Sequence, residues 1–471
     1  VIKMDNLAVI ILAAGMGKRM RSDLVKVLHP LLGKPMLSYP LELTLEHLQP
    51  EKTIVVVGHQ AEQIQAAFSD PRITFVRQKD QLGTGHAVSM TEPLLGNFKG
   101  CALILCGDIP LITAHTLTEL ATRHRTKKAS LTLLTTHRED PTGYGRIIHG
   151  ALGKVHKVVE EKDASSKERE IKEVNTGIYC VQARFLFQAL AKVRSQNAQG
   201  EYYLPDIVEL AHHKKKRINI FSAPSPTEVM GINTRAELAQ AEGILAERVR
   251  QHWMAEGITI QDPGSVFIEP SVSIGKDTVL YPNCYLRGET SIGEGCRIGP
   301  QVEISDSQIG NGVQIRFCTV ITESTIEGGA IVGPFSHLRP HCHLEQGAKI
   351  GNFVEVKKSR IGQGTKANHL SYIGDSEVGK GVNIGAGTIT CNYDGFHKHR
   401  TVIEDEVFVG SNTALVAPVT VGRGAVVGAG ATITKDVPPY ALAVGRAKQK
   451  GIKRWVTKRD RKRQKESDED M

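Results

Sequence analysis

Ile292-Gly293-Glu294-Gly295-Cys296-Arg297-Ile298-Gly299 sets an aliphatic–glycine pair twice at an interval of six, and that interval governs the chain from about Val266 to Val437. Ile274, Leu280, Leu286, Ile292, Ile298 and Ile304 hold one phase. After a one-residue slip Ile309, Ile315 and Ile321 resume it, and after a second slip Ile326, Val332, Leu338, Leu344, Ile350 and Val356 follow. A helix repeats every 3.6 residues and a half-buried strand every two, so neither produces a sustained hexad. The period predicts a parallel β-helix with three six-residue sides per coil, aliphatics inward, and stability built by stacking coil on coil. A β-sandwich alternates with period two and is set aside on that ground. Glycine follows the aliphatic at Gly293, Gly299, Gly310, Gly333, Gly351, Gly362, Gly374 and Gly385, where corners with positive φ are expected.

Upstream of the hexads the pattern changes. Apolar strand-like runs at 8–14, 53–58, 73–77, 102–106 and 131–135 alternate with helix-like segments near 36–48, 61–68, 86–95 and 114–124. Such alternation predicts an α/β unit of Rossmann-like type, its parallel sheet covered on both faces and its ligands at the carboxyl ends of the strands. Thr234-Arg235-Ala236-Glu237 is a capping box, and Leu238, Ala241, Leu245 and Val249 follow at helical spacing. A helix to about Glu256 would span some 30 Å and hold two domains apart; a short coiled coil is the other reading of that segment. The expected division is 1–235, linker helix 236–256, and β-helix 257–471 with its charged tail.

A chain of 471 residues accommodates two or three domains. The formal charge of +9 admits nucleic acid, membrane or small anions as partners. Much of the excess lies in Lys453-Arg454, Lys458-Arg459, Arg461-Lys462-Arg463 and Lys465, before an acidic end at Glu466–Asp470. That segment reads as a solvated, disordered tail. No RNA-reading motif accompanies it, so no nucleic-acid partner is expected. Eight cysteines without C-x-x-C spacing suit a reduced cytoplasm. His341-Cys342-His343, with His337 nearby, resembles metal spacing, but on a β-helix side Cys342 points away from the two histidines. The apolar run Leu7–Ala14 is short and leads into Gly15-Met16-Gly17-Lys18-Arg19, which reads as a buried strand entering a phosphate loop rather than a leader. No run is long enough to span a membrane. Val1 stands first, and Met4 offers another start.

That loop, Leu12 to Met20, is neither a P-loop, which needs four residues between its first glycine and Gly-Lys-Ser/Thr, nor a dinucleotide fingerprint, since Met20 takes the third glycine's place. Taken alone it is also compatible with a simple tight turn. Lys26 lies a few residues on, and Gly107-Asp108 ends the buried 102–106 run, where a carboxylate is placed to hold Mg²⁺ against phosphates or to cap a helix. In the solenoid, Arg339 and Lys357 each follow an inward aliphatic, eighteen residues apart. They should stack on adjacent coils roughly 4.8 Å apart, and two such cations call for an anion between them unless they are simply solvated. Ala367-Asn368-His369-Leu370-Ser371-Tyr372 brings a histidine and a tyrosine into the same region, and Cys391 through Arg400 interrupts the hexads as a polar insertion.

Leu12-Ala13-Ala14-Gly15-x-Gly-x-Arg19-Met20, Lys26, Gln78, Gln81-Leu82-Gly83-Thr84-Gly85-His86-Ala87, Gly107-Asp108, Gly143-Tyr144-Gly145-Arg146-Ile147, Val159-Glu160, Asn175-Thr176-Gly177 and Gly231-Ile232-Asn233 resemble the sugar-1-phosphate nucleotidyltransferases. Followed by the solenoid, they are similar over nearly the whole chain to the bacterial bifunctional N-acetylglucosamine-1-phosphate uridylyltransferase / glucosamine-1-phosphate N-acetyltransferase family. Lys18 stands where that loop often has Thr, and Val25 where Pro commonly precedes the lysine.

The resemblance implies that Leu12, Ala13, Ala14, Gly15, Lys26, Gln78, Gly83, Thr84, Cys106 and Gly107 meet UTP, and that Gly145, Glu160 and Asn175 hold N-acetylglucosamine phosphate. It implies Asp108 and Asn233 as Mg²⁺ ligands, with Arg19 and Lys26 as catalytic cations. In the solenoid it implies His369 as general base, and Arg339, Lys357, Tyr372 and Asn383 on glucosamine 1-phosphate. Acetyl-CoA is assigned to Ala386, Asn392, Tyr393, Ser411, Ala429 and Arg446, on a left-handed β-helix acting as a homotrimer. The implied product is UDP-N-acetylglucosamine for cell-wall polymers. A non-enzymatic assembly subunit with the same domain pairing, and a single-function pyrophosphorylase on a structural solenoid, are the alternatives.

Overall fold

The computed structural model describes residues 6–150 and 153–469, side chains beyond Gln464 excepted; Val1 and Met4, the two candidate first residues, lie outside that range. The chain folds as two compact units, Val1–Arg248 and Val249–Met471.

In the first unit, strands β1 (Leu7–Ala13), β2 (Lys52–Val57), β3 (Ile73–Arg77), β4 (Cys101–Cys106) and β5 (Leu131–His137) form where apolar runs are expected. β6 (Arg146–His149), β7 (Val155–Val159), β8 (Glu173–Gln182) and β9 (Ile218–Ser222) complete a sheet of order β9-β5-β8-β4-β1-β2-β3, with β6 and β7 attached beside β8. β1 is buried on both faces: Val9 and Ile11 pack into one apolar cluster and Ala8 and Ile10 into another. A strand covered on both sides reads as a continuous apolar run, which is why Leu7–Ala14 looks like a leader in sequence. The sheet is mixed rather than parallel throughout, because β8 runs antiparallel to both β4 and β5. β1 pairs with β2 on one side and β4 on the other, all parallel. The chain therefore reverses its winding beside β1, and the loops after β1 and β4 open into one crevice.

In the second unit every solenoid strand is parallel to its partner one coil on. Ile274 pairs with Ile292, Ile292 with Ile309, Ile309 with Ile326, and Leu338 with Val356. Coils of seventeen and eighteen residues thus stack without loss of register, and the slips seen in sequence are short coils. Ile298, Ile304, Ile321, Leu338, Leu344, Val356 and Ala367 are fully buried in one continuous core; each large aliphatic contributes about 1.5–3 kcal/mol relative to exposure.

The glycines after the aliphatics have a different reason from the one expected. Among the eight, only Gly333 has positive φ. A Cβ at Gly351 would stand 2.0 Å from the Asn368 carbonyl oxygen, and one at Gly385 would stand 2.6 Å from the Ser411 nitrogen. Close approach of the next coil, not backbone handedness, excludes a side chain there.

A helix at Arg235–Ala255 opens on the expected capping box: Thr234 Oγ1 accepts from Glu237 N at 3.2 Å, and Glu237 Oε2 accepts from Thr234 N at 2.8 Å. The tail departs from expectation. Trp455–Glu469 is helical, with its described side chains exposed. Lys, Arg, Gln and Glu are good helix formers, so the segment needs no buried face to adopt helical geometry. Among the described residues no helix is long and apolar enough to cross a membrane.

Candidate active sites

The crevice between β1 and β4 holds a pocket of about 440 Å³, lined by Leu12, Ala13, Ala14, Gly15, Lys18, Lys26, Gln78, Gln81, Gly83, Thr84, Cys106 and Asp108 among others. The two strand ends are joined by a hydrogen bond from Gly107 N to Leu12 O at 2.9 Å. Gln81 Nε2 donates to Ala14 O at 2.9 Å, and Gln78 Nε2 donates to Gly83 O at 3.1 Å, so two side-chain amides fix the loops on either side of the pocket. Gly17 carries φ +62°, and a Cβ there would lie 2.6 Å from Lys26 Cβ. Glycine is required on both counts if Lys26 is to lie against the loop.

The ammonium of Lys26 forms an ion pair with Asp108 and donates to Asn233 Oδ1 at 3.2 Å. Three residues from distant parts of the chain thereby meet in one place. Asn233 is held from behind, because Glu237 Oε2 of the capping box also accepts from Asn233 N at 2.7 Å. A carboxylate oxygen and an amide oxygen turned to one cation form the hard-oxygen donor set that suits Mg²⁺, which takes one or two such ligands and completes its shell with phosphates and water. Arg19 follows the Lys18 that lines the pocket but stands exposed and does not line it.

Gly145, Glu160 and Asn175 come together beside this pocket. Asn175 N donates to Gly145 O at 2.8 Å, and a Cβ on Gly145 would meet Glu160 Oε1 at 3.1 Å. Arg146, buried to 1% exposure, anchors the loop through Glu161 at 2.7 Å. The pairing of β8 with β5 shifts register between Asn175 and Tyr179; such a bulge re-aims side chains, and Asn175 Oδ1 accepts from Tyr179 OH at 2.9 Å. Cys106 links the two regions, its thiol facing Gly177 O at 3.7 Å and pushed up to about 12 by burial. Burial, reinforced by the charges of Asp206 and Asp163, pushes the Glu160 carboxyl up to about 7, and burial with Glu209 and Asp163 raises Asp206 to about 6. Tyr179 and Asp206 are not recognisable in the sequence as neighbours of Glu160, since no local pattern joins them.

On the solenoid, strands Lys349–Lys357 and Lys366–Gly374 pair with Asn352 opposite His369 and Glu355 opposite Tyr372. His369 is exposed, and its Nδ1 lies 2.9 Å from Asn352 Oδ1. An amide oxygen only accepts, so with Asn352 turned this way Nδ1 carries the proton, and in the neutral ring the lone pair is on Nε2. Asn352 is absent from the sequence-based set; the signal for it is its place seventeen residues before His369, one short coil away.

Arg339 and Lys357 sit on adjacent coils as expected, with Arg339 N donating to Val356 O at 2.8 Å. The charge argument moves, however. Arg339 pairs with Glu355 at 3.0 Å, so it shares its charge with a carboxylate. Lys357 also neighbours Lys398 of the polar insertion, whose ammonium is held below its ordinary pKa chiefly by Lys357, with Asp375 acting the other way. Two neighbouring lysines add positive charge to this face, and Lys398 carries no periodic signal. Asn392 Nδ2 donates to Asp375 Oδ2 at 2.5 Å and lies 3.4 Å from Tyr372 OH, bringing the base of the insertion to the Tyr372 coil. Tyr393 is exposed, its hydroxyl donating to Gly395 O at 2.5 Å. Asn383 lies in register between Lys366 and Phe408.

Ala386, Ser411, Ala429 and Arg446 share one corner column. Asn412 N donates to Ala386 O and Gly430 N to Ser411 O, each at 2.7 Å, and the Arg446 guanidinium donates to Ala429 O. The His341-Cys342-His343 set does not converge: Cys342 points inward and donates to Arg339 O at 2.9 Å, while His343 pairs with Glu327 at 2.8 Å.

Residues 8–224 match the nucleotidyl transferase family, 271–306 and 289–323 match the bacterial transferase hexapeptide family, and 400–435 match the hexapeptide repeat of succinyl-transferase. The chain is 48% identical over 449 residues to the bifunctional protein GlmU of Shouchella clausii, covering 95% of this chain and 98% of that one. It is 50% identical over 447 residues to the protein of the same name from Geobacillus thermodenitrificans, covering 95% and 97%. For the Geotalea uraniireducens protein the figures are 48% over 457 residues, covering 97% and 100%.

Proposed function

The chain belongs to the family of the bifunctional GlmU proteins, and on that premise we propose that it makes UDP-N-acetylglucosamine in two steps, acetyl transfer to glucosamine 1-phosphate followed by UMP transfer to the product. The observation that carries this reading is that each unit gathers its own charged constellation: Lys26, Asp108 and Asn233 in one, Lys357, Lys398 and the Asn352–His369 pair in the other. A non-enzymatic assembly subunit needs neither, and a single-function pyrophosphorylase does not need the second. We assign uridylyl transfer to 1–235, acetyl transfer to 257–471, and a connecting role to 236–256.

In the first unit an oxygen of the sugar phosphate attacks the α-phosphorus of UTP, forming the new P–O bond as pyrophosphate leaves. The chemistry asks mainly for positioning and charge neutralisation. The small residues Ala13, Ala14 and Gly15 admit the nucleotide against the backbone. Gln78, Gly83 and Thr84 face its base, and Cys106 and Gly107 adjoin it from the end of β4. Lys26, Lys18 and the nearby Arg19 supply positive charge. Mg²⁺ held by Asp108 and Asn233 would neutralise phosphate oxygens. Gly145, Glu160 and Asn175 orient the acetylated sugar.

In the second unit the amine of glucosamine 1-phosphate attacks the acetyl thioester, the C–N bond forms, and the CoA thiolate leaves. His369 Nε2 takes the amine proton. Lys357 and Lys398, with Arg339 beside them, hold the phosphate, Tyr372 and Asn383 the sugar, and Asn392, Tyr393 and the column Ala386–Ser411–Ala429–Arg446 the acetyl-CoA. A homotrimer through the β-helix is part of the proposal. Its support is an exposed apolar ladder at one corner: Phe317 and Phe335 rings lie 5.2 Å apart, Phe335 and Phe353 5.3 Å, and exposed Leu370 adjoins His369. A neighbouring copy covering that ladder would enclose a base that one chain leaves in water. We place the enzyme in the cytoplasm, where its product feeds cell-wall polymers.

One assay tests the proposal: glucosamine 1-phosphate, acetyl-CoA, UTP and Mg²⁺ with free thiol and pyrophosphate followed separately. Both should appear, pyrophosphate after a lag set by acetylation. Thiol without pyrophosphate, or pyrophosphate only from preformed N-acetylglucosamine 1-phosphate, would refute the bifunctional reading.

A further inference from the structure

At the opposite end of β4 from Asp108, three side chains that the proposed reaction does not use meet. The sulfurs of Cys101 and Cys180 and a ring nitrogen of His124 lie within 4.8 Å of one another. His124 belongs to the helix Ala114–Thr126 and is 1% exposed. Its Nδ1 is engaged with Thr132 Oγ1 at 3.0 Å, while Nε2 is buried and makes no hydrogen bond, although the Cys101 thiol lies beside it. A buried imidazole nitrogen with no partner has lost its water without replacement. A hydrogen bond on the other ring nitrogen is what fixes a metal-binding histidine in its tautomer.

We propose that Cys101, His124 and Cys180 form a binding site for a thiophilic divalent cation, Zn²⁺ by preference. Two thiolates and one imidazole are a tetrahedral ion's ligand set with one place left. Metal–sulfur and metal–nitrogen distances of about 2.3 and 2.0 Å put ligand atoms within the observed mutual spacing. Cys101 also lines a hollow of about 390 Å³ with Lys99, Arg125 and Arg184, a route by which an ion and a water ligand would reach the cluster. Two thiolates cancel the charge of the ion, so the cations around the mouth face a neutral centre. A Cys101–Cys180 disulfide is the competing chemistry, and strand register opposes it. Cys180 lies opposite Leu103, and Cys101 opposite Gln182. The two cysteines are diagonal neighbours, whose Cα atoms stand about 7–8 Å apart, beyond the usual reach of a disulfide. Bound metal would tie β4, β8 and the covering helix together, and so brace the strands that carry Asp108 and Asn175.

The test is Co²⁺ titration of the reduced, chelator-stripped full chain. The expected result is one ion per chain with sulfur-to-cobalt charge-transfer absorption and tetrahedral visible bands, bleached by Zn²⁺. A cation at Asp108 and Asn233 has no sulfur ligand and gives no such band. Cys101→Ala, at a half-buried position that tolerates a small side chain, should weaken binding by more than the roughly 10- to 100-fold that loss of an outer partner costs. His124→Gln and Cys180→Ala should do the same. Zn²⁺ should raise the thermal midpoint of the wild type and not of Cys101→Ala. Absence of the charge-transfer band, its persistence at full strength in Cys101→Ala, or rapid Cys101–Cys180 disulfide formation that Zn²⁺ does not slow would each overturn the proposal.

Discussion

In the amino-terminal unit Lys26 meets Asp108 and Asn233 across separations of 82 and 207 residues, whereas in the carboxyl-terminal unit His369 meets Asn352 across 17. The first arrangement is convergence: loops at the ends of parallel strands point their side chains into one crevice and wall it from several sides. The second is a ladder, in which each functional residue is placed by coil register and neighbours its counterpart one turn away. Convergence produces a partly enclosed crevice, and Lys26 and Asp108 at its floor are 12% and 22% exposed in their side chains. A ladder has only an outside, so its base stays in water until another surface covers it. The two units solve placement equally well and enclosure very differently.

The largest test of that contrast is His369→Ala. It should lower acetyl-transfer turnover by roughly 10²- to 10⁴-fold and leave UMP transfer to preformed N-acetylglucosamine 1-phosphate unchanged, read as free thiol against pyrophosphate. Equal loss of both would show a collapsed solenoid rather than a missing base. Asn352→Ala should lower kcat less, leave KM in place and alter the pH profile, because it frees the tautomer without removing the base. On the convergent side, Asp108→Ala should cost roughly 10²- to 10³-fold in pyrophosphate release and nothing in acetyl transfer. Near wild-type release would remove Asp108 from the proposed metal site.

How far each arrangement can be read from sequence follows from the same contrast. The ladder is legible because its rule is local: hexad period and coil length by themselves place Leu338 over Val356. The convergent site is legible only where a motif marks a strand end, as at Leu12–Gly15 and Gly107-Asp108. Long-range company is hidden, so Tyr179 and Asp206 beside Glu160 leave no trace in the sequence, nor does the Cys101–His124–Cys180 cluster. Strand direction is hidden too, since Glu173–Gln182 is apolar in pattern whether it runs parallel or antiparallel. Even on the ladder, Lys398 gives no signal, because the 391–400 insertion has no period. The solenoid glycines mark the limit of periodicity: a pattern shows that a side chain is excluded, not whether φ or a neighbouring coil excludes it, and here the coil does so where φ was expected to.

The phosphate clamp sharpens the contrast at the next scale. Lys357→Ala and Lys398→Ala should each weaken glucosamine 1-phosphate binding by about 10- to 150-fold, the worth of a charge-assisted contact of about 1.5–3 kcal/mol. Arg339→Ala should cost less, because Arg339 already shares its charge with Glu355. Losses in Lys357→Ala and Arg339→Ala without one in Lys398→Ala, measured by calorimetric titration, would return the clamp to the Arg339–Lys357 pair.

A smaller effect belongs to Glu160. Its folded pKa of about 7 lies above the ordinary carboxylate value, so the folded state binds the proton more tightly than the unfolded chain. Its contribution is fully present below the unfolded pKa and is lost as pH rises toward about 7, by about 2 kcal/mol once partial exposure is allowed for. Glu160→Gln should flatten that decline between about pH 4.5 and about 7, as measured by thermal unfolding of the full chain. A parallel decline in wild type and variant would show that Glu160 is not the group responsible.

The smallest expected effect is removal of the tail after Arg454. A solenoid needs its last coil closed, and here that closure lies upstream: Leu442 and Ala443 pair with Val426 and Val427, and Arg446 covers Ala429 O. Through Gln464 the helix Trp455–Glu469 carries exposed side chains, and none of these described side chains joins the continuous core. Deleting it should therefore change stability by less than about 0.5 kcal/mol, as for surface changes generally, and leave the uridylyl half-reaction untouched. Acetyl transfer is the more exacting readout, because the ladder's site depends on what covers it. If the truncated chain kept its thermal midpoint and its oligomeric state yet lost acetyl transfer, the tail would be part of that cover. If it lost the folded core, the closure would lie in the tail rather than in residues 442–446, and the view of the solenoid as self-capping would fail.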